Sequence, residues 1–127
     1  MSNSVQLLVA RILLSIIFIT AGWGKLIDIS GTAGWFGSIG LPAPGILVWL
    51  VTALELLGGI AILVGFKTRW VAWALAAFCV GAAVLGHSDF SDMNNQIMFM
   101  KNLAIAGGFL ALAVAGAGAY SVDARRG

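Results

Sequence analysis

The stretch Ile46–Phe66, ILVWLVTALELLGGIAILVGF, is apolar throughout except for Thr52 and one ionisable side chain, Glu55. A helix needs about 20 such residues to cross a hydrocarbon core, so this run is long enough to span. Three more runs qualify: Val5–Gly24, Trp70–Gly86 and Ile97–Ala119. None alternates polar with apolar residues as barrel strands do, and a spanning segment that is not part of a barrel must be a helix. The fold class is therefore all-α, a four-helix transmembrane bundle.

The rest of the chain agrees. Of 127 residues, 61% are hydrophobic and 9% charged, against about 25% charged in soluble domains. So few charges cannot cover a water-soluble bundle of this size. The length fits one membrane domain, residues 1–127. The net charge of +2 comes without any basic run that would grip phosphate, so nucleic acid is not an expected partner. Cys79 stands alone, which excludes an intrachain disulfide or a CxxC pair. The first span is read as a retained helix rather than a signal peptide. It lacks a basic leader, carries Arg11 within its apolar run, and ends in Trp23-Gly24-Lys25 without an A-x-A site.

Short connections make the spans run up-down-up-down. The basic turn Phe66-Lys67-Thr68-Arg69 and the Arg125-Arg126 tail then share one side with the N-terminus, and the acidic loop His87–Gln96 lies on the other. The positive-inside rule places both termini in the cytoplasm. Trp23, Trp35 and Trp49 near one face, and Trp70 and Trp73 near the other, fit interfacial belts. Within the first outer loop, Thr32–Ile39 is too short to span. It is expected to lie in the interface or to fold over the mouth of the bundle as a re-entrant lid.

Helices in lipid associate through close backbone approach. Small residues at every fourth position supply the surfaces: Gly58-Gly59 and Ala61/Gly65 on the second span, Ala72/Ala76 on the third, and Gly107, Ala111, Ala115 and Ala119 on the last.

Charges inside spans need partners, because a central one costs about 2.5–3.5 kcal/mol on insertion scales. Arg11, Ser15, Phe18, Gly22 and Lys25 fall on one face of the first helix; Thr52, Glu55 and Gly59 share a face of the second. Counting helical rise from the span edges puts Arg11 about 9 Å and Glu55 about 15 Å from the inner boundary, which predicts an Arg11–Glu55 structural pair. Toward the outer side, Lys101, Asn102, His87 and Lys25 are expected to wall a cleft with Glu55 at its base. Snorkelling of the lysines to headgroups is the alternative. His87 with Asp89 and Asp92 makes no convincing metal site. No phosphate-cradling glycine loop, G-x-S-x-G, H-E-x-x-H, or Cys or His pair suited to a redox metal is present, so no catalytic residue is assigned and no cofactor is encoded.

Taken in order, Arg11, Ala21-Gly22-Trp23-Gly24-Lys25-Leu26, Gly40-Leu41-Pro42, Leu54-Glu55-Leu56-Leu57-Gly58-Gly59, Gly65-Phe66-Lys67-Thr68-Arg69 and Met100-Lys101-Asn102-Leu103 before Gly107-Gly108 resemble the DoxX family of small bacterial membrane proteins. The likeness runs from about Val9 to Tyr120. It implies a four-helix inner-membrane bundle and favours association with redox systems. Two functional expectations follow. One is a redox-associated module or accessory subunit that binds a quinone-like ligand or a partner oxidoreductase. The other is a non-enzymatic carrier of a small anion or lipid, or a membrane scaffold. The expected partners are membrane lipids, a partner redox protein, and a second copy of the chain.

Overall fold

The computed structural model describes residues 1–126. Its helices are α1 (Asn3–Leu26), α2 (Ile29–Ser38), α3 (Pro44–Val64), α4 (Thr68–Gly86), α5 (Met93–Ala115) and α6 (Val122–Arg125), with no strand among the described residues. α1, α3, α4 and α5 are each long and apolar enough to cross a membrane. They run alternately up and down, so both termini lie at one end of the bundle, here the termini end; the opposite end is the distal end.

Local chemistry sets the boundaries. Ser2 caps α1 by accepting from the Val5 amide at 3.2 Å. Pro44 opens α3 in the first turn, where its missing N–H costs nothing. Gly65 closes α3 at φ 74°. A side chain there would be strained and would run into Arg11 and Ser121. The last span is displaced from its expected limits. Asp92 accepts from the Asn94 amide at 2.9 Å, so α5 starts at Met93 rather than Ile97 and draws Asn94, Asn95 and Gln96 into its first turn. Gly116, at φ 81°, ends it at Ala115 rather than Ala119.

The bundle consists of two intimate antiparallel pairs, α1 with α3 and α4 with α5, and the pairs touch each other far less. Gly59 of α3 lets α1 approach so closely that an added Cβ would lie 2.9 Å from Ile19. Gly22 of α1 does the same against Leu56. The expected buried faces are present: Arg11, Ser15, Phe18 and Gly22 on α1, and Thr52, Glu55 and Gly59 on α3. The core joins Phe18, Ile62, Leu75, Cys79, Phe109 and Leu112, with Ala72 and Ala76 as the small-residue contact. By contrast, Gly107, Ala111 and Ala115 point outward, with open space beyond Gly107. α5 buries Ala106, Phe109, Leu112 and Ala113 instead.

At the termini end, the chain after α5 folds back beneath the bundle as a strap. The Ala119 amide donates to Ser4 Oγ, and the Asp123 amide donates to the Gly65 carbonyl at 2.9 Å. The Asp123 carboxylate accepts from the Lys67 and Thr68 amides at 2.6 and 2.8 Å, capping α4 from a distant part of the chain. Partial burial pushes the Asp123 carboxyl up, but hydrogen bonds from Thr68 and Lys67 and the charge of Arg126 outweigh it, holding the group below the ordinary carboxylate range. Arg11, fully buried, donates to the carbonyls of Leu63 at 3.2 Å and Tyr120 at 2.5 Å.

The expected Arg11–Glu55 pair does not form. Packing of α1 on α3 sets Gly22 beside Glu55 and Gly59 beside Ile19, which puts Glu55 level with Trp23 and Arg11 level with the end of α3. Arg11 and Trp23 are about 18 Å apart along the helix. Counting from span edges fails here because the two helices are offset in depth. The loose carbonyls at the end of α3 and in the strap take the place of a carboxylate, as cations at helix C-termini commonly use them.

Candidate functional site

The core fills the termini half of the bundle, and the distal half holds a cavity of about 380 Å³ between the two helix pairs. Its size falls within the range of about 300–1,000 Å³ typical of small-molecule sites. Phe18 and Phe78 form its floor, their rings edge to face with centroids 6.4 Å apart. Leu47 and Val51 of α3 and Met98 and Ile105 of α5 provide apolar walls.

The roof is α2. Asp28 caps it by accepting from the Gly31 amide, and the short helix lies over the distal end, packed on α3. Phe36 is buried beneath it, while Trp35 reaches across toward α4, its ring centroid 6.3 Å from that of His87. The segment expected at the interface or over the mouth is thus a roof over the cavity. Phe36 and Phe78 were not singled out in the sequence as site residues. The aromatic pair Trp35-Phe36 inside a short loop was the available signal for the first, and nothing distinguishes Phe78 from core packing.

Four of the five expected site residues line this space. Lys25, in the last turn of α1, brings Nζ to 2.8 Å from Glu55 Oε1. The Glu55 side chain is 6% exposed and that of Lys25 24%, so the pair is largely withdrawn from solvent. Asn102 faces the cavity, its Nδ2 donating to the Met98 carbonyl at 3.0 Å. His87 closes the rim, with Nδ1 3.2 Å from Asn95 Oδ1. Lys101 is not part of the site. It is exposed on the outer surface of α5, roughly 100° around the helix from Asn102, where snorkelling serves it best. The partner that Arg11 was expected to give Glu55 is supplied by Lys25.

The site is therefore a mostly apolar chamber with one internally neutralised ion pair, one amide and one imidazole. It can bury a flat, weakly polar group and offer donors to it at one edge. A naked charge would find no uncommitted counter-charge among the lining residues.

A compact bundle of four membrane-length helices, roofed by a short fifth and enclosing such a chamber, defines a small multi-pass membrane protein. The chain belongs to the DoxX family, whose pattern matches residues 6–88. Over 121 residues it is 52% identical to the Inner membrane protein YqjF of Escherichia coli, covering 95% of this chain and 92% of that one. It is 39% identical to the Inner membrane protein YphA of the same organism, over 98% and 92% of the two chains. A Bacillus subtilis relative, named "Putative oxidoreductase CatD", is 32% identical over 87% of each. No solved structure matches.

Proposed function

We propose that this protein is a redox-associated module of the bacterial inner membrane that receives a quinone-like headgroup in the distal cavity and exchanges it with a partner oxidoreductase. The composition of the cavity carries this reading: apolar walls and an aromatic floor around Lys25, Glu55 and Asn102. The carbonyl oxygens of a quinone ring accept from an ammonium or an amide, while the ring itself is buried among Phe18, Phe78 and Val51. Glu55 and His87 are placed to hold or pass protons when the head changes charge. A bound quinone would supply the redox chemistry, interconverting with its quinol by two electrons and two protons, with the partner enzyme as the electron donor or acceptor. The oxidoreductase name of one relative supports the redox setting. The termini end, with Lys67, Arg69, Arg125 and Arg126, faces the cytoplasm in this reading, and the cavity lies in the outer leaflet.

Titration of the purified protein with a short-chain quinone, followed by quenching of tryptophan fluorescence, tests the reading. Wild type should bind saturably. Lys25→Met and Glu55→Gln should each weaken binding by about tenfold, equivalent to losing one buried polar contact. Lys101→Met should not. Binding that is absent, or indifferent to both cavity substitutions, would turn the protein into a carrier of another ligand or a scaffold.

A further inference from the structure

We infer that the cavity is served sideways, through the seam between α1 and α5, and that its ligand is a lipid-phase molecule whose apolar tail stays in the bilayer while its head sits at Lys25 and Glu55. This rests on the cavity being a ligand site, and it fixes the class and route of what binds there.

The two helices flanking the seam meet only deep in the bundle. Leu14 lies against Gly108, and the rings of Phe18 and Phe109 stand edge to face at 5.4 Å. Toward the distal end they part. Ile17 and Ala21 of α1, and Met98 and Ile105 of α5, line the cavity instead. Ile17 and Met98 are also 43% and 38% exposed, so the same side chains face both the chamber and the outside. From Ile17 to Lys25 the opening extends about 12 Å along the helix. That length matches one leaflet's share, about 15 Å, of the hydrocarbon core.

The route from water is the better closed one. α2 packs on α3, Phe36 is only 4% exposed beneath it, and Trp35 leans to His87 at the end of α4. Below Lys25, the flanks of the seam are apolar apart from Asn102. A small aqueous anion would meet hydrocarbon at the seam, aromatic rings at the roof, and a lysine already neutralised by Glu55. A tailed amphiphile gains at each point. Its chain occupies the seam without leaving the membrane, and only its head has to enter.

Two measurements on the full chain in nanodiscs test this. In a Cys79→Ser background, an environment-sensitive fluorophore attached at Ala21→Cys should be quenched strongly by mid-chain brominated phospholipid and weakly by aqueous iodide. The reverse would overturn the lateral opening whatever the ligand. The second compares a benzoquinone bearing a decyl tail with the same ring lacking it, both expressed as mole fraction in the bilayer. The tailed compound should bind at least about tenfold more tightly, and Ile105→Trp should bring the ratio of the two affinities, both measured on that variant, down to about one. Met98→Trp serves the same purpose if the first variant does not fold. Equal binding of the two compounds to wild type, or a tail advantage untouched by either tryptophan, would overturn the inference with the headgroup site still standing. Failure of both compounds to bind would strike the quinone reading, and the fluorophore result would then decide the opening by itself.

Discussion

Lys25 reaches Glu55 from the last turn of α1, and the two meet at 2.8 Å on the wall of the distal cavity. The contact depends on Gly22, one turn earlier on α1, which brings the backbones together beside Glu55. A small residue thus sets the distance at which a charge pair forms. Removing one member leaves the other buried without compensation.

The first prediction follows from that coupling. Lys25→Met or Glu55→Leu alone should destabilise the detergent-solubilised protein by about 3 kcal/mol, and the double change should cost less than the sum. Thermal-shift measurements on the four proteins give the cycle. Strict additivity would mean that the pair is not energetically coupled.

Arg11 and Glu55 should behave as strangers. With their levels about 18 Å apart along α1, Arg11→Leu and Glu55→Leu should add to within about 0.5 kcal/mol in the same assay. Arg11→Leu alone should cost about 2–4 kcal/mol, because the carbonyls of Leu63 and Tyr120 lose a charged donor. Arg11→Lys should recover only part of this, since an ammonium lacks the planar fork that serves both at once.

Asp123 gives a pH signature. Its carboxyl is held below the ordinary range, so in acid the unfolded chain takes up the proton first. Its contribution is therefore complete above the unfolded value of about 3.9 and disappears as pH falls through the lower folded value. Asp123→Ala should cost about 0.5–2 kcal/mol at pH 7, the usual worth of a helix cap. The gap between variant and wild type should close in strong acid. A gap that persists there would assign the loss to packing instead.

Two glycines should respond in opposite senses. Gly59→Ala places a methyl against Ile19 and the neighbouring backbone of α1, and should lower the melting temperature. Gly107→Ala meets nothing and adds helix propensity worth about 0.5–1 kcal/mol. A loss at Gly107 in detergent would show that its outer face is covered there by another chain.

Orientation is open to direct labelling. In a Cys79→Ser background, cysteine at Ser91 should react with an impermeant thiol reagent in intact spheroplasts, and cysteine at Arg125 should react only after lysis. Both positions are exposed. The opposite pattern would invert the proposed topology and place the cavity in the inner leaflet.

The spans could be read from sequence because crossing hydrocarbon demands length and apolarity, and both are properties of composition along the chain. The inward faces of α1 and α3 could be read too, since Arg11 and Glu55 mark them. α5 resisted. Its lipid-facing and core-facing sides are equally apolar, so the run of Gly107, Ala111 and Ala115 gave no sign of pointing outward. The same ambiguity hid the outward direction of Lys101. Its ends were obscured by a polar first turn and by apolar Ala117 and Ala119 beyond Gly116, where backbone dihedral rather than hydropathy stops the helix. The Lys25–Glu55 pair was missed for another reason. Depth counted from span edges carries no information on how far one helix slides along its neighbour, and it is Gly22 and Gly59 that determine this.

The hold of Arg11 on Tyr120 also bears on how the molecule is made. α1 leaves the ribosome carrying a guanidinium, and one of the two carbonyls that receive it is synthesised 109 residues later. Through the insertion of α3, α4 and α5 that charge waits in or near the bilayer with its shell incomplete. Only when the strap swings beneath the bundle is it fully engaged. Translation that stops short of the strap would therefore leave this guanidinium with the Leu63 carbonyl alone.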